Sequence, residues 1–247
     1  MIVKKKKQFR RLLTTFRTES GETGRTVIQV IDLSHTIEPG MPCYPGTPGP
    51  VFQSISSIEE EGFAEQLLTI SSHTCTHVDL PSHILKDAPS LDMFGIGRFA
   101  GKGLAIDVRG TPNQIISIET LQPVLALIRE CEFLLLCTGW SCFWNTSDYY
   151  KGYPALSSDA AQWLTGFDLK GVGVDTMSVD APDAPDAQTF PVHTILLQNG
   201  TLILENLSNL QLLLHRPFTF CGFPLKLARA EASPLRAVAL VDALNEC

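Results

Sequence analysis

The stretch HTCTHVDLPSH, residues 73–83, contains three of the six histidines in the chain and decides how the rest of the sequence is interpreted. Imidazole and carboxylate groups are ligands for zinc, manganese and iron, so His73, His77, Asp79 and His83 together indicate a metal site. Pro81 and the β-branched residues disfavour a regular helix, and extended backbone would place His77 and Asp79 on the same side. A polar loop with each histidine hydrogen-bonded to backbone is the alternative. The concentration of potential ligands favours the metal.

A second pair of potential ligands lies further along the chain. His193 and Glu205 stand on either side of the Gln-Asn-Gly turn at 198–200, and Glu205 follows the apolar run 202–204. A carboxylate at the end of such a run is costly to bury unless it is paired or bound to a metal. A salt bridge at a strand end explains Glu205 equally well. His193 and Glu205 therefore indicate a metal site only in combination with the segment 73–83.

The charges divide the chain of 247 residues into a basic head and an acidic body. Residues 1–26 contain eight basic and two acidic residues, a net charge of +6, and the remainder carries −13. The body, in a chain with 44% hydrophobic residues, can bury a core, whereas the head repels itself. We therefore predict a disordered tail over 1–25 and a single domain over 26–247. Contact of the head with nucleic acid or a membrane surface, or a targeting role, is the alternative.

Cysteine usage and hydropathy bear on location and partners. Seven scattered cysteines without a CxxC pair, and a head without a signal-peptide core, indicate a cytoplasmic protein. No uncharged apolar run approaches the length of a bilayer span, so we expect no membrane partner. The acidic body argues against a broad nucleic-acid surface on the folded part.

Alternating strand and helix patterns predict an α/β layered domain. Prolines between 39 and 50 indicate a rigid loop that either connects elements or presents Tyr44 to a pocket. The prolines around Asp180 indicate a solvated loop. The predicted strands are 26–33, 66–72, 103–110, 133–139, 171–176, 217–227 and 237–242, and the predicted helices run from Ser117 to about Glu130 and from Ser157 or Ser158 to Trp163.

Residues 73–83 resemble the H-x-G-T-H-x-D-x-P-x-H signature of the metal-dependent cyclase-like hydrolases, a family that includes bacterial kynurenine formamidases and isatin hydrolases. The resemblance extends from about residue 26 to the C-terminus, and His193 and Glu205 match its downstream ligands. It implies a swivelling β/β/α single domain. It also implies that His73, His77 and Asp79 bind one metal ion, while Asp79 and Glu205 bridge to a second ion that His193 also holds.

The same resemblance assigns the remaining site residues. His83 falls at the general acid/base position, and Tyr44 lies in a segment similar to the substrate rim, where Phe63 is a second candidate for packing on an aromatic substrate. Core or loop packing explains both aromatic residues equally well. Cys75 occupies a position that is usually glycine, so the turn there lacks the freedom of glycine at positive φ.

The resemblance implies a hydrolase that uses metal-activated water to cleave the amide C–N bond of a small aromatic substrate, with N-formylkynurenine as the first choice (an arylformamidase of tryptophan catabolism). The expected cofactor is Zn²⁺, two per chain, or Mn²⁺, and the expected assembly is a homodimer or homotetramer. The alternatives are a single-metal lactam or lactone hydrolase of isatin-hydrolase type and a non-catalytic metal-binding protein.

Overall fold

The computed structural model describes residues 16–17, 27–182 and 189–242. Most of the predicted tail 1–25 lies outside these ranges, although Phe16 and Arg17 form a short strand that pairs with residues 27–28. None of the helices in the described ranges is long and apolar enough to cross a bilayer.

The described chain contains short strands and still shorter helices. The strands are β1 Phe16–Arg17, β2 Val27–Asp32, β3 Val51–Ser56, β4 Glu65–Thr69, β5 His77–Asp79, β6 Ala100–Asp107, β7 Ile115–Ile116, β8 Phe133–Cys137, β9 Ala155–Leu156, β10 Gly171–Val174, β11 Leu202–Glu205, β12 Phe218–Pro224 and β13 Ala232–Asp242. The α-helices are α1 Ile58–Glu61, α2 Ile118–Leu121, α3 Leu125–Ile128, α4 Ser158–Leu164 and α5 Pro191–Gln198. Short 3₁₀ helices cover Pro81–His83, Leu91–Met93, Ile96–Phe99, Pro112–Gln114, Gln122–Val124, Trp140–Phe143, Ser147–Tyr150 and Leu210–Leu212.

One mixed sheet organises the molecule, in the order β1-β2-β13-β12-β6-β8-β10-β11-β5. Because β5 also pairs with β13, the sheet closes on itself. The central strands β6, β8, β10 and β11 are parallel, and β5 runs antiparallel to both of its neighbours. The α/β single-domain fold expected from the resemblance is therefore present.

Both faces of the central strands are buried. Along β8, Phe133 and Leu135 pack into the core enclosed by the sheet, whereas Leu134 and Leu136 pack against the helices outside it. Strands buried on both sides become continuous apolar runs rather than alternating ones, which is why the run at 133–139 identified this strand.

The predicted helix over 117–130 is wrong in its continuity. The segment forms α2, one 3₁₀ turn over Gln122–Val124 and α3. Pro123 has no N–H to donate within a helix, and its ring would clash with the carbonyl group four residues earlier. The helix is therefore interrupted between α2 and α3.

Candidate metal centre

Strand β5 holds two of the predicted ligands and brings a third beside them. His77 and Asp79 lie two residues apart on extended backbone and share one side, while Val78 points into the core. In the antiparallel pairing of β5 with β11, Glu205 lies directly opposite His77. Residues at opposed positions place their side chains on the same face, so a ligand from 128 positions later in the chain joins the cluster.

The remaining predicted ligands, and the predicted acid/base His83, come from short elements around β5. His73 lies in the turn before the strand, His83 ends the 3₁₀ turn that Pro81 begins, and His193 lies in the first turns of α5. The structure thus brings together all six residues that the sequence identified as metal or acid/base candidates.

The carboxylate of Asp79 is the centre of the cluster and is inaccessible to solvent. Its Oδ1 lies 2.8 Å from Nδ1 of His73 and 3.3 Å from Nε2 of His77, and its Oδ2 lies 3.5 Å from Nε2 of His193. The two oxygens therefore face different histidines.

Glu205 spans the same two imidazoles from the other side. Its Oε2 lies 3.6 Å from Nε2 of His77, and its Oε1 lies 3.3 Å from Nε2 of His193. The backbone N–H of Val179 donates a hydrogen bond to Oε1 and holds the carboxylate in place. Asp79 and Glu205 therefore both stand between the His77 and His193 rings.

Both rings are oriented from behind by hydrogen bonds. Nδ1 of His77 lies 2.8 Å from the carbonyl oxygen of Cys75, which can only accept, so Nδ1 carries the proton. Nδ1 of His193 lies 2.6 Å from Oδ2 of Asp180. Each contact leaves Nε2 pointed at the two carboxylates, the arrangement that metal-binding histidines use to fix their tautomer and orientation.

The charges of the cluster are strongly coupled. Burial opposes ionisation of Asp79, but His77, His193 and His73 outweigh it and hold the pKa of the carboxyl well below its usual value. Burial likewise opposes protonation of His77, but Asp79 and Glu205 raise its pKa to about 9. Asp180, Asp79 and Glu205 raise the pKa of His193 in the same way against burial. The carboxylates of Asp79, Glu205 and Asp180 therefore strongly favour positive charge between the His77 and His193 rings.

The donor set fits a divalent cation. Neither oxygen of Asp79 receives a properly directed hydrogen bond from the described residues, although three imidazole nitrogens surround it. Two overlapping groups have ligand atoms close enough to share an ion: one is His73, Asp79 and His83, and the other is His77, Asp79 and Glu205. Nitrogen and carboxylate oxygen ligands suit zinc and manganese.

His83 is half-buried at the mouth of the cluster. Its ring centre lies 4.2 Å from that of His73 and 5.9 Å from that of His193. Burial lowers the pKa of its imidazole, which favours the neutral form able to accept a proton. His83 is thus placed either to complete a ligand group with His73 and Asp79 or to exchange a proton beside it.

The cluster forms the floor of a cavity of about 150 Å³. Tyr44 lines its rim, and its ring centre lies 6.3 Å from that of Phe190, which lines the cavity as well. The sequence analysis missed Phe190, since nothing in the chain near it signals a pocket.

Phe63 does not line the cavity, and its side chain is 54% exposed on the connection between β3 and β4. Phe63 therefore lies outside the cavity of its own chain, on the connection where Gly62, at φ 79°, ends α1 between the paired strands β3 and β4.

Asp180 corrects a second expectation. The prolines around it indicated a solvated loop, yet Asp180 is buried, and its carboxylate accepts hydrogen bonds from the backbone N–H groups of Val192 and His193 besides contacting the His193 ring. Its role depends on α5 beginning beside it, which is a long-range contact that the local pattern does not contain. Asp183 and Asp186, the next acidic residues along the chain, lie outside the described residues.

Cys75 adopts the backbone conformation that glycine would favour. Its φ is 62°, its side chain is buried, and its thiol lines the cavity. Asn206 donates a side-chain hydrogen bond to the carbonyl of Cys75, the same oxygen that orients His77, and accepts one from the hydroxyl of Tyr149. Burial raises the pKa of the Cys75 thiol to about 11, so the thiol is neutral at physiological pH.

Comparison with known proteins assigns the chain to a family, because the family model for Cyclase matches residues 31–181. The chain belongs to the Cyclase family. A kynurenine formamidase of Bacillus cytotoxicus is 29% identical over 212 residues, which cover 84% of this chain and 95% of the relative. An uncharacterised protein of Methanocaldococcus jannaschii is 29% identical over 217 residues, which cover 87% of this chain and 100% of the relative.

Solved structures of similar proteins have the same fold. Isatin hydrolase A from Labrenzia aggregata, solved with benzyl benzoate, is 26% identical, with a TM-score of 0.79 over 87% of this chain and 94% of that one. A structure described as a potential metal-dependent hydrolase with cyclase activity is 24% identical, with a TM-score of 0.72 over 87% and 98% of the two chains. The relatives of this Cyclase family member thus include hydrolases that act on small aromatic molecules.

Proposed function

We propose that this protein is a metal-dependent hydrolase that cleaves the amide C–N bond of a small aromatic substrate. The observation that carries the proposal is the buried carboxylate of Asp79, which receives no directed hydrogen bond from the described residues and faces His73, His77 and His193 at the floor of a cavity. The kynurenine formamidase and isatin hydrolase relatives supply the reaction class.

In this proposal the ligands are His73, His77, Asp79, His193 and Glu205. Zn²⁺ is the expected ion, two per chain, and Mn²⁺ satisfies the same ligands. A bound divalent cation supplies water of lowered pKa and stabilises negative charge that develops on a carbonyl oxygen.

The chain's own residues supply proton transfer and substrate packing. His83, whose imidazole is held in the neutral form by burial, accepts a proton from water at Nδ1 or Nε2 and returns it to the leaving nitrogen. Tyr44 and Phe190 form an aromatic wall that packs against the ring of the substrate.

N-formylkynurenine is the first candidate substrate, because Asp79 faces three imidazoles and Glu205 faces two, a ligand set that suits two ions better than one. The resemblance to the formamidases implies two ions, whereas the isatin-hydrolase alternative uses one. An isatin-like lactam is the second candidate, because isatin hydrolase A shares the fold at 26% identity. Both substrates carry the nitrogen of the scissile amide on an aromatic ring, so the same hydrolysis would act on an open or a cyclic amide.

Turnover of a substrate panel by protein of measured metal content tests the proposal. We expect hydrolysis of N-formylkynurenine above that of isatin and of an aryl lactone, with two ions per active chain. Faster turnover of isatin with one ion would move the assignment to the lactam hydrolase, and no turnover of any member by metal-loaded protein would contradict a hydrolytic function.

The variant His83→Ala separates the proton-transfer role from the ligand role. We expect it to keep its full complement of metal and to lose on the order of 10²–10⁴ in kcat, the usual contribution of a general acid/base. Loss of metal would instead assign His83 to the ligand group that it forms with His73 and Asp79. His215→Ala, a histidine remote from the cavity, is the matched control and should change neither quantity.

A further inference from the structure

An aromatic cluster, separate from the two larger cores, lies mostly in the segment between β8 and β9. Three of its side chains are buried and three are partly buried around them: Tyr149, Tyr153 and Met177 at the centre, with Trp140, Phe143 and Trp144 outside. Met177 also lines the cavity of the metal centre. The cluster therefore backs one wall of that cavity, although the proposed chemistry assigns it no part.

Tyr149 is fixed within the cluster on several sides. It has no accessible surface, and its ring meets that of Trp144 edge to face, with 5.0 Å between the ring centres. Its carbonyl oxygen accepts a hydrogen bond from Nε1 of Trp140. Burial, together with nearby Asp175 and Glu205, raises the pKa of its phenol well above the usual value, so its hydroxyl remains a donor.

The hydroxyl of Tyr149 sets the orientation of a neighbouring amide. It donates a hydrogen bond of 2.8 Å to Oδ1 of Asn206, whose Nδ2 donates one of 3.0 Å to the carbonyl oxygen of Cys75. A flipped amide would place Oδ1 against that carbonyl, so that two acceptors would face each other. Only the observed orientation of Asn206 therefore satisfies both of its neighbours.

Asn206 joins the two strands that carry metal ligands. It directly follows Glu205 at the end of β11, and its main-chain carbonyl accepts a hydrogen bond of 2.6 Å from the hydroxyl of Thr76. With its side-chain bond to Cys75, Asn206 thus holds two consecutive residues of the turn before β5. Its φ is 55°, a left-handed conformation in which asparagine is enriched.

The carbonyl oxygen of Cys75 faces two nitrogen atoms, Nδ2 of Asn206 at 3.0 Å and Nδ1 of His77 at 2.8 Å. A carbonyl oxygen has two acceptor lone pairs, so both contacts can form at the same time. The bond from Asn206 fixes the direction of the carbonyl, and the carbonyl in turn sets the direction of the His77 ring.

We propose that Tyr149 and Asn206 are positioning residues for His77. The phenol orients the amide, the amide fixes the carbonyl of the turn, and the carbonyl holds the imidazole in the direction in which it can bind a metal ion. Mutation of a residue that supports a metal ligand typically costs about 10- to 100-fold in metal affinity. The proposal rests on the metal-binding role of His77 in the proposed function.

The paired variants Tyr149→Phe and Tyr150→Phe test the proposal. Each removes one hydroxyl from neighbouring positions, but Tyr150 is 37% exposed and lies outside the aromatic cluster. The metal-free protein is titrated with Zn²⁺ in competition with a chelating dye. We expect a dissociation constant for Zn²⁺ to rise about tenfold or more in Tyr149→Phe and to stay unchanged in Tyr150→Phe. Equal constants in the two variants would overturn the proposal.

A double-mutant cycle with Asn206→Gly tests whether the hydroxyl acts through the amide. Glycine accepts the left-handed backbone at position 206 and removes only the side chain. We expect Asn206→Gly to weaken Zn²⁺ binding at least as much as Tyr149→Phe does, and the double variant to bind like Asn206→Gly alone. Additive losses would contradict the link from the phenol to the amide.

NMR of the histidine rings in the metal-free protein separates positioning from damage to the fold. The Nδ1 proton of His77, assigned by its loss in His77→Gln, should give a hydrogen-bonded signal that shifts or broadens in Tyr149→Phe and not in Tyr150→Phe. A Tyr149→Phe protein that loses only thermal stability, with an unchanged signal and unchanged Zn²⁺ affinity, would overturn the proposal. A wild-type chain that binds no Zn²⁺ would instead contradict the proposed function, and the His77 signal would then decide the positioning by itself.

Discussion

A carboxylate without accessible surface needs positive charge beside it, and Asp79 meets this need with three imidazoles rather than with Lys or Arg. Imidazoles can exchange their protons for a cation, whereas a guanidinium cannot. The three histidines around Asp79 therefore suit a site that can bind and release a metal ion. It also explains why the scarce histidines were more informative in the sequence than the net charge.

At Cys75, a single backbone angle sets the position of a ring. The residue stands at φ 62°, a conformation that costs residues with a Cβ roughly 1–2 kcal/mol, and its carbonyl orients His77. We expect Cys75→Gly to be more stable than Cys75→Ala by about 1 kcal/mol in urea unfolding at constant metal content, because both variants lose the thiol but only glycine relieves the backbone.

Ala228 provides the matched control for this comparison. It is exposed and is absent from the residues with positive φ in the described chain, so Ala228→Gly should lower the free energy of unfolding rather than raise it. Equal stability of Cys75→Gly and Cys75→Ala would contradict this prediction. It would show that a Cβ has no cost at the angle that the surrounding turn imposes.

Strand β5 illustrates how three residues can position a site. It is held on both edges, by β11 and by β13, so His77 and Asp79 cannot change register without breaking two ladders. The alternation His-Val-Asp was readable from the sequence. The opposition of His77 and Glu205 was not, because it depends on the pairing of strands far apart in the chain.

Strand β10 is closely packed against its neighbours at Gly173. A Cβ on Gly173 would lie 2.7 Å from side-chain carbons of Leu135 and Leu207, both fully buried. We expect Gly173→Ala to lower the free energy of unfolding by about 1–3 kcal/mol, the usual cost of overpacking, in a urea titration. Gly97→Ala is the control, since its Cβ would meet no atom within 4 Å, and it should change stability by less than about 0.5 kcal/mol. Equal effects at both positions would show that backbone entropy, and not packing, dominates.

The accuracy of the sequence predictions follows the range of the contacts involved. Strands 133–137 and 171–174 were found within two residues because their apolar composition reports local burial. The prediction of one continuous helix over 117–130 was wrong at Pro123, although the proline is itself a local signal for an interruption. The prediction of a solvated loop at Asp180 was wrong because its surroundings come from α5, which the local pattern does not specify. Phe63 lies outside the cavity of its own chain because it belongs to the β3–β4 hairpin.

At the scale of the whole molecule, the centre joins elements that lie far apart in the sequence. Asp79 and His77 come from β5, Glu205 from β11 and His193 from α5. A cation bound by all of them stabilises only the folded chain, because the unfolded chain does not assemble the ligands. Removal of metal should therefore lower the stability of the entire domain and not only its activity.

Thermal unfolding with and without a chelator measures this coupling. A metal present at ~1,000 times its Kd adds roughly 4 kcal/mol to the free energy of unfolding, which corresponds to a fall on the order of 10 °C in Tm upon chelation for a domain of this size. Asp79→Asn should unfold at the same temperature in both conditions, because it lacks the central ligand. Asp168→Asn, a carboxylate outside the cavity lining, should retain the full difference. If the chelator leaves the wild-type Tm unchanged, protonated histidines alone balance the buried carboxylates. The site would then be an ion-pair network rather than a metal centre.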